Sequence, residues 1–383
     1  SEMVSLPKFI SFWKMRASFA EVGGPINYTG LTPGTVTDPM KGGVINPISV
    51  YPFPNFKAEQ TKSYELGTNL RLFNNKINID ATVYLTDTYN QTFLSSMSPA
   101  SGYSGFYVQA GKVRNKGIEL SLGYNDRFGK VGYATNLTYT ANRNKIMKMV
   151  HDYKNPSDGS LFSITELTLQ DKGGVYLREK DAIGDVYVKG ILARGKDGKL
   201  IEEEGGYKVD RSQRIKIGSV NPDFSIGWRH NVTWNNLTLD LLFNGRFGGI
   251  VTSSTQAFLD DYGVSKDTYK ARQNGGVWVN GTQYDAEKYY TTIGGEQLMA
   301  YYAYKATNIR LQEASLSYTL PGKWFGNVIN RLAVSAIGRN LWMIYNKAPF
   351  DPEMTSSTGT YNRGDVFMPP SLRSVGFSVK IEL

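Results

Sequence analysis

What most constrains this sequence is a repeated alternation of apolar and polar side chains with a period of two. Between Pro222 and Trp234, residues Phe224, Ile226, Trp228, Val232 and Trp234 share one face, while Ser225, Gly227, Arg229, Asn231 and Thr233 share the other. The next segment repeats the pattern, with Leu237, Leu239, Leu241, Phe243 and Phe247 against Thr238, Asp240, Asn244 and Arg246. The C-terminus does the same, setting Val375, Phe377, Val379, Ile381 and Leu383 against Ser374, Gly376, Ser378, Lys380 and Glu382. Successive side chains of a β-strand point to opposite faces, so this rhythm is that of strands half in an apolar medium. Along the whole chain it predicts about ten strands, near 9–22, 62–73, 76–90, 114–125, 130–143, 222–235, 236–248, 306–320, 328–345 and 368–383. Most exceed the roughly 9–11 residues that a tilted strand needs to cross a bilayer.

The connections narrow the choice further. From the second strand onward they alternate between short and long. The short ones are Asn74-Asn75, Asp126 to Lys130, Asn235-Asn236 and Pro321 to Asn327. The long ones cover roughly 23–60, 91–113, 144–221, 249–305 and 346–367. Outer-membrane barrels join strands by short periplasmic turns and long outer loops, whereas a soluble β-sandwich has no reason to sort its loops by parity. The expected fold is therefore all-β: a transmembrane antiparallel β-barrel wall with long extracellular loops. An even strand count with short turns inside puts both chain ends on the periplasmic side of the outer membrane. Trp13, Tyr124, Tyr133, Trp234 and Tyr318 lie near strand ends, as an interfacial aromatic girdle requires.

Composition removes several alternatives. No run approaches 18 consecutive apolar residues, so no membrane-spanning helix is expected. Cysteine is absent, which excludes disulfides and thiolate metal sites. Ser1 is not followed by a basic and then an apolar segment, so no signal peptide is expected here; if the protein is exported, its true N-terminus is expected to have been removed or to lie on another chain. The formal charge of +9 is scattered, without a nucleic-acid signature; for a surface protein the excess suits anionic lipid or an acidic substrate. The two histidines, His151 and His230, offer little for catalysis: His230 shares the apolar face of its strand, and a serine–histidine protease site would have to use His151. No motif indicates a glycosidase carboxylate pair, and the chain is not expected to be an enzyme or to hold a cofactor. Between Phe258 and Asn280 the acids Asp260, Asp261 and Asp267 do not match an EF-hand loop; Ser265-Lys266-Asp267 reads instead as a helix N-cap followed by an acidic first turn. Gly195-Lys196-Asp197-Gly198 is a turn signal without phosphate-loop context.

Several ordered stretches carry a family resemblance. These are Lys14-Met15-Arg16-Ala17-Ser18-Phe19, Asn115-Lys116-Gly117-Ile118-Glu119-Leu120, Gly218-Ser219-Val220-Asn221-Pro222-Asp223-Phe224, Asn244-Gly245-Arg246-Phe247-Gly248-Gly249, the segment from Asn308 to Pro321, Gly338-Arg339-Asn340-Leu341, Asp351-Pro352-Glu353, and the terminal strand with Pro369-Pro370. Together they resemble the SusC-like TonB-dependent outer-membrane transporters over essentially the whole chain. The resemblance implies that residues 1–383 are the C-terminal part of the receptor barrel, about ten strands of a 22-stranded wall, without the plug domain or TonB box. It also implies active uptake of a glycan or peptide. The partners implied are a SusD-like surface lipoprotein that caps the barrel, the plug-bearing N-terminal part, the TonB complex acting through that part, and outer-membrane lipid. A self-contained small porin or adhesin barrel, or a secreted carbohydrate-binding β-sandwich, are the alternatives.

The residues themselves support further expectations. Ile118 and Leu120 should face lipid while Glu119 points inward, where a carboxylate must be paired or hydrated and structural pairing is the expected role. Asn221-Pro222 should set a strand entry, because proline belongs at a strand's first position. Aromatic residues in the long loops, Tyr51, Phe53, Phe56, Tyr103, Phe106, Tyr107, Tyr187, Tyr262 and Trp278, are candidates for stacking on substrate, for holding a lid, or for packing the loops.

Overall fold

The computed structural model describes residues 6–25, 50–51, 57–101, 103, 105–154, 159–169, 175–326, 329–357 and 364–382. Its frame is one antiparallel sheet of ten strands: β1 Ile10–Gly23, β2 Gln60–Leu72, β3 Ile77–Tyr89, β4 Lys112–Phe128, β5 Val131–Lys148, β6 Phe224–Trp234, β7 Leu237–Phe247, β8 Asn308–Pro321, β9 Arg331–Asn346 and β10 Ser374–Glu382. Neighbours in sequence are neighbours in space throughout, so the wall is an up-and-down meander. A single curved sheet replaces the two packed layers that a sandwich needs, and the sandwich alternative is set aside.

Register confirms the two faces. Trp228 stands opposite Phe243 and Leu137, and Val232 opposite Leu239 and Tyr133, so one apolar face runs across β5, β6 and β7. It continues through Ile118 and Leu120 on β4 to Val83 and Ala81 on β3. Large apolar side chains on this face lie open, with Val83 47%, Trp228 46% and Ile118 38% exposed. They make sense only against lipid.

The expected strands and the observed ones coincide, with two informative differences. β4 and β5 run on to Lys112 and Lys148, beyond the apolar alternation, because a hydrogen-bonded ladder continues above the bilayer where the pattern no longer has to. The last strand starts at Ser374 rather than near 368; Pro369 and Pro370 have no N–H to give to a ladder. The short turns use left-handed residues at Phe73, Asn74, Asn75 and Asn235, a conformation that asparagine tolerates better than most.

The hydrophobic cores lie at one end of the wall, beyond its lipid-facing band. One gathers Phe93, Val108, Ile146, Leu167 and Leu177; a second gathers Leu192, Tyr207, Tyr289, Ile293 and Tyr302; a small third is Val251, Ala306 and Ala348. Most of these residues belong to the long connections. Those connections therefore fold as an aqueous domain on one end of the sheet, while the wall itself gives its apolar side to lipid.

Candidate functional site: the rim of the wall and its loop canopy

Two small sheets stitch the long loops together. Strands Val175–Arg178, Glu166–Leu169, Gln91–Ser96, Gly105–Ala110 and Val50–Tyr51 form one sheet drawn from three loops. Ala303–Lys305, Ile250–Ser253 and Gly364–Asp365 form another, drawn from the loops after β7 and β9. The two groups meet where the Tyr301 and Tyr284 hydroxyls accept from the N–H groups of Leu192 and Leu200, both at 3.0 Å, and where Arg211 pairs with Glu296 at 2.7 Å.

The motifs separated in sequence converge where the canopy meets the wall. Asn115 and Asn144 are joined at 2.8 Å; Asn144 accepts from the Ile183 N–H at 2.8 Å; Asn221 donates to the Ile183 carbonyl at 2.7 Å. Arg246 donates to the Val220 carbonyl at 2.7 Å. Asn221 therefore does more than set a strand entry: it ties the loop after β5 to its own return. A second junction closes the last loop. Arg310, only 4% exposed, pairs with Asp351 at 2.9 Å and Glu353 at 3.2 Å, and its Nη1 lies 3.3 Å from the Asn340 side-chain oxygen. Ser371 also donates to Asp351. Burial opposes ionisation of Asp351, yet the Ser371 and Arg310 hydrogen bonds outweigh it and hold the carboxyl below its ordinary value.

The lumen-facing side of the wall is polar and largely self-paired. Arg16 reaches across β2 to Asp80 at 2.7 Å, and Asn69 donates to the same carboxylate at 2.9 Å. Arg229 pairs with Asp240 at 2.9 Å. Tyr84 donates to Asn142 at 3.2 Å by lying over Gly117. Any side chain at Gly117 would meet that phenol and would also sit 2.5 Å from the Ala141 carbonyl. Gly67 likewise makes room for the Arg16 guanidinium. Glu119 departs from expectation: it is exposed on this face and makes no ion pair among the described residues, so its carboxylate is hydrated rather than structurally paired.

The loop between β7 and β8 carries three helices, α1 Ser254–Asp261, α2 Lys266–Gln273 and α3 Ala286–Gly295. Ser253, Ser265 and Asp285 cap them, each accepting from a backbone N–H. The Ser265 cap is the expected one; the Ser253 cap of α1 was missed, and there the Ser253 hydroxyl accepts from the Gln256 N–H while its own N–H goes to the distant Tyr302 carbonyl. These helices enclose a cavity of about 270 Å³ lined by Asp260, Asp261, Tyr262, Arg272, Glu287 and Tyr290 among others. Burial pushes the Asp260 carboxyl up, and the Tyr290 phenol to about 12.

The candidate aromatics do not assemble into one surface. Tyr262 and Trp278 are 76% and 62% exposed on the helical loop, Tyr262 at the cavity rim. Phe106 packs against the first core, and Tyr51 is its register neighbour in the five-stranded sheet. Tyr103 and Tyr107 are half-buried in the same loop region. Tyr187 donates to Asp181, packs edge-on against Tyr176 with centroids 4.9 Å apart, and lies 5.5 Å from Arg178, which makes it a packing residue. Phe53 and Phe56 lie outside the described residues.

Among the described residues no group of three or more His, Asp or Glu side chains could hold a metal. Both histidines have structural partners: His230 is 2.9 Å from the Tyr133 hydroxyl on the lipid face, and His151 is 2.5 Å from Glu179 in the canopy.

The family model described as TonB dependent receptor-like, beta-barrel matches residues 5–241. TonB-dependent receptor P3 of Formosa agariphila is 25% identical over 373 residues, spanning 90% of this chain and 36% of the relative. TonB-dependent receptor P39 of the same organism is 22% identical over 415 residues, spanning 94% and 38%. The structure of the RagAB peptide transporter superposes with a TM-score of 0.72 at 18% identity, covering 98% of this chain and 41% of the other. The same importer in its closed-closed state gives 0.74. The chain thus spans well under half the length of the proteins it matches.

Proposed function

Because the chain belongs to the TonB-dependent receptor β-barrel family, we propose that it forms about half the wall of an outer-membrane importer for a large polar nutrient, a glycan or a peptide. The observation that carries this is the division of the molecule into a lipid-facing sheet, a polar lumen face and a folded canopy on one end only. A porin that merely sieves small solutes has no need of loops with their own hydrophobic cores.

The sheet has two open edges, since β1 and β10 each pair on one side only among the described residues. Unpaired backbone N–H and C=O groups cannot face hydrocarbon, so further strands must close the barrel. They fit the remaining length of a receptor that also supplies the plug and the contact to TonB, residues 1–383 being the C-terminal part of the barrel domain. The short turns and both chain ends then face the periplasm, and the canopy faces outward. A SusD-like surface lipoprotein is the partner for that canopy, with Tyr262 and Trp278 its most exposed aromatics. The RagAB neighbours are named as a peptide importer, which favours peptide over glycan as the first substrate to try.

The test is uptake of labelled oligopeptides and oligosaccharides by cells expressing the full receptor, with and without a protonophore. Active import predicts accumulation of one class that the protonophore abolishes. Accumulation that the protonophore leaves unchanged would make the protein a passive pore.

A further inference from the structure

We propose that the outer ends of β4 and β5 form a docking surface for the phosphorylated headgroup of an outer-leaflet glycolipid. The inference rests on the topology proposed above. On the lipid-facing side, the apolar band of β4 runs from Phe128 through Tyr124, Leu122 and Leu120 to Ile118. Ten residues at a rise of roughly 3.3 Å, tilted by about 40°, cover about 25 Å, the height of a barrel's apolar belt. Directly above that belt the same face turns cationic. Lys116 stands opposite Arg143, Arg114 opposite Lys145, and Lys112 opposite Lys148.

Two carboxylates partly balance these six cations. Asp87 binds Lys112 at 2.8 Å and Arg114 at 2.7 Å, and Asp223 binds Arg143 at 3.0 Å. Lys116, Lys145 and Lys148 are exposed and make no ion pair among the described residues. Among the described residues no other strand pair carries such a cluster at the same height. The corresponding ends carry Phe19 and Tyr64 below a Glu21–Lys62 pair on β1 and β2, Phe224 stacked on Phe247 on β6 and β7, and Ile309 opposite Tyr345 on β8 and β9. Free cations at the end of a lipid-facing belt meet whatever charge the outer-leaflet headgroups carry. Their repulsion is relieved by phosphate, whereas a peptide or glycan entering the lumen would pass on the opposite face of these strands. The β-ladder fixes the backbone positions from which these side chains project, so the cations stay clustered at one end of the strands while their flexible stems let the amines reach a phosphate.

The test uses the whole receptor in detergent, wild type and the triple variant Lys116→Gln, Lys145→Gln, Lys148→Gln. The probes are lipid A carrying its phosphates, the same lipid after phosphate removal, and inorganic phosphate as competitor. The triple variant should bind phosphorylated lipid A about a hundredfold more weakly, with an unchanged melting temperature, and Lys145→Gln alone should show part of that loss. Lys130→Gln with Lys323→Gln, at the opposite end of the wall, should bind as wild type. Equal binding by the triple variant, equal binding of the dephosphorylated lipid, or full displacement by inorganic phosphate would each overturn the proposal. Binding in detergent does not depend on transport, so failure here leaves the uptake reading standing and failure of uptake leaves this one standing.

Discussion

An arginine placed on the lipid face of β7 should be costly in proportion to its depth, and one placed on the lumen face should not. β7 runs from Leu237 at the short-turn end to Phe247 at the canopy end. Ten steps of roughly 3.3 Å at a tilt of about 40° give about 25 Å of bilayer depth. Leu241 is four steps in, about 10 Å from the inner edge and so close to the midplane. Its cross-strand neighbours are His230 and Ala314, neither of which can neutralise a guanidinium. Leu241→Arg should therefore cost about 2–4 kcal/mol, the midplane value, and Leu239→Arg, nearer the edge, about half of that. On the opposite face Thr238 lies two residues from the Asp240 carboxylate, which can meet a guanidinium, and Asn244 is exposed opposite Gly227 on a polar face. Thr238→Arg and Asn244→Arg should each cost under about 1 kcal/mol. Equilibrium unfolding of the full receptor from lipid vesicles reads these differences directly. Equal losses on both faces, or larger ones at Thr238 and Asn244, would refute the assignment of faces.

Other perturbations separate the rim from the canopy. Gly117→Ala should destabilise by about 1–3 kcal/mol through overpacking, and Tyr84→Ala should rescue only part of it, because the Ala141 carbonyl remains in the way; full rescue would show the phenol to be the sole obstacle. Asp351→Asn should loosen the loop after β9, seen as faster proteolysis within 347–373, since it leaves buried Arg310 with half its carboxylate partners. The Asp351 carboxyl is held below its ordinary 3.8, so the stability it contributes is complete above that pH and is lost only as pH falls through the lower folded value. Proteolysis of this loop should accordingly be flat from about pH 5 to 8 and rise only in stronger acid; a rise near neutrality would contradict the assignment. Tyr262→Ala with Trp278→Ala should leave the melting temperature unchanged while reducing lipoprotein retention or uptake; a large loss of stability would place both side chains in the canopy's packing instead.

How much of this was readable in advance follows from what each residue answers to. The wall was legible because lipid imposes a strict rule on every second side chain, and even the bulge in β8 is written in the sequence: Ile309 and Leu311 share one parity, Ala314, Leu316 and Tyr318 the other, switching at Gln312. The canopy was not, because its strands answer to partners far away in sequence. Nothing local in Asn144, Asn221 or Arg310 states that the first two meet at Ile183, or that the third will be buried between two carboxylates. The loop aromatics show the same divide. Tyr187 and Phe106 pack inward, while Tyr262 and Trp278 remain on the surface, and the difference lies in which loops fold over them.

The account stands most directly on which side of the membrane each end of the wall faces. The chain has no cysteine, so single reporters can be placed without background. Ser265, an obvious outer position from sequence, is only 4% exposed and unsuitable; Lys196, in the exposed turn between Arg194 and Leu200, serves instead. With Lys196→Cys, an impermeant thiol reagent should label intact cells. With Lys130→Cys or Asn236→Cys, in the short turns, labelling should appear only after the outer membrane is opened. The reverse pattern, with Lys130 and Asn236 sites labelled on intact cells and the Lys196 site protected, would invert the wall and contradict the importer.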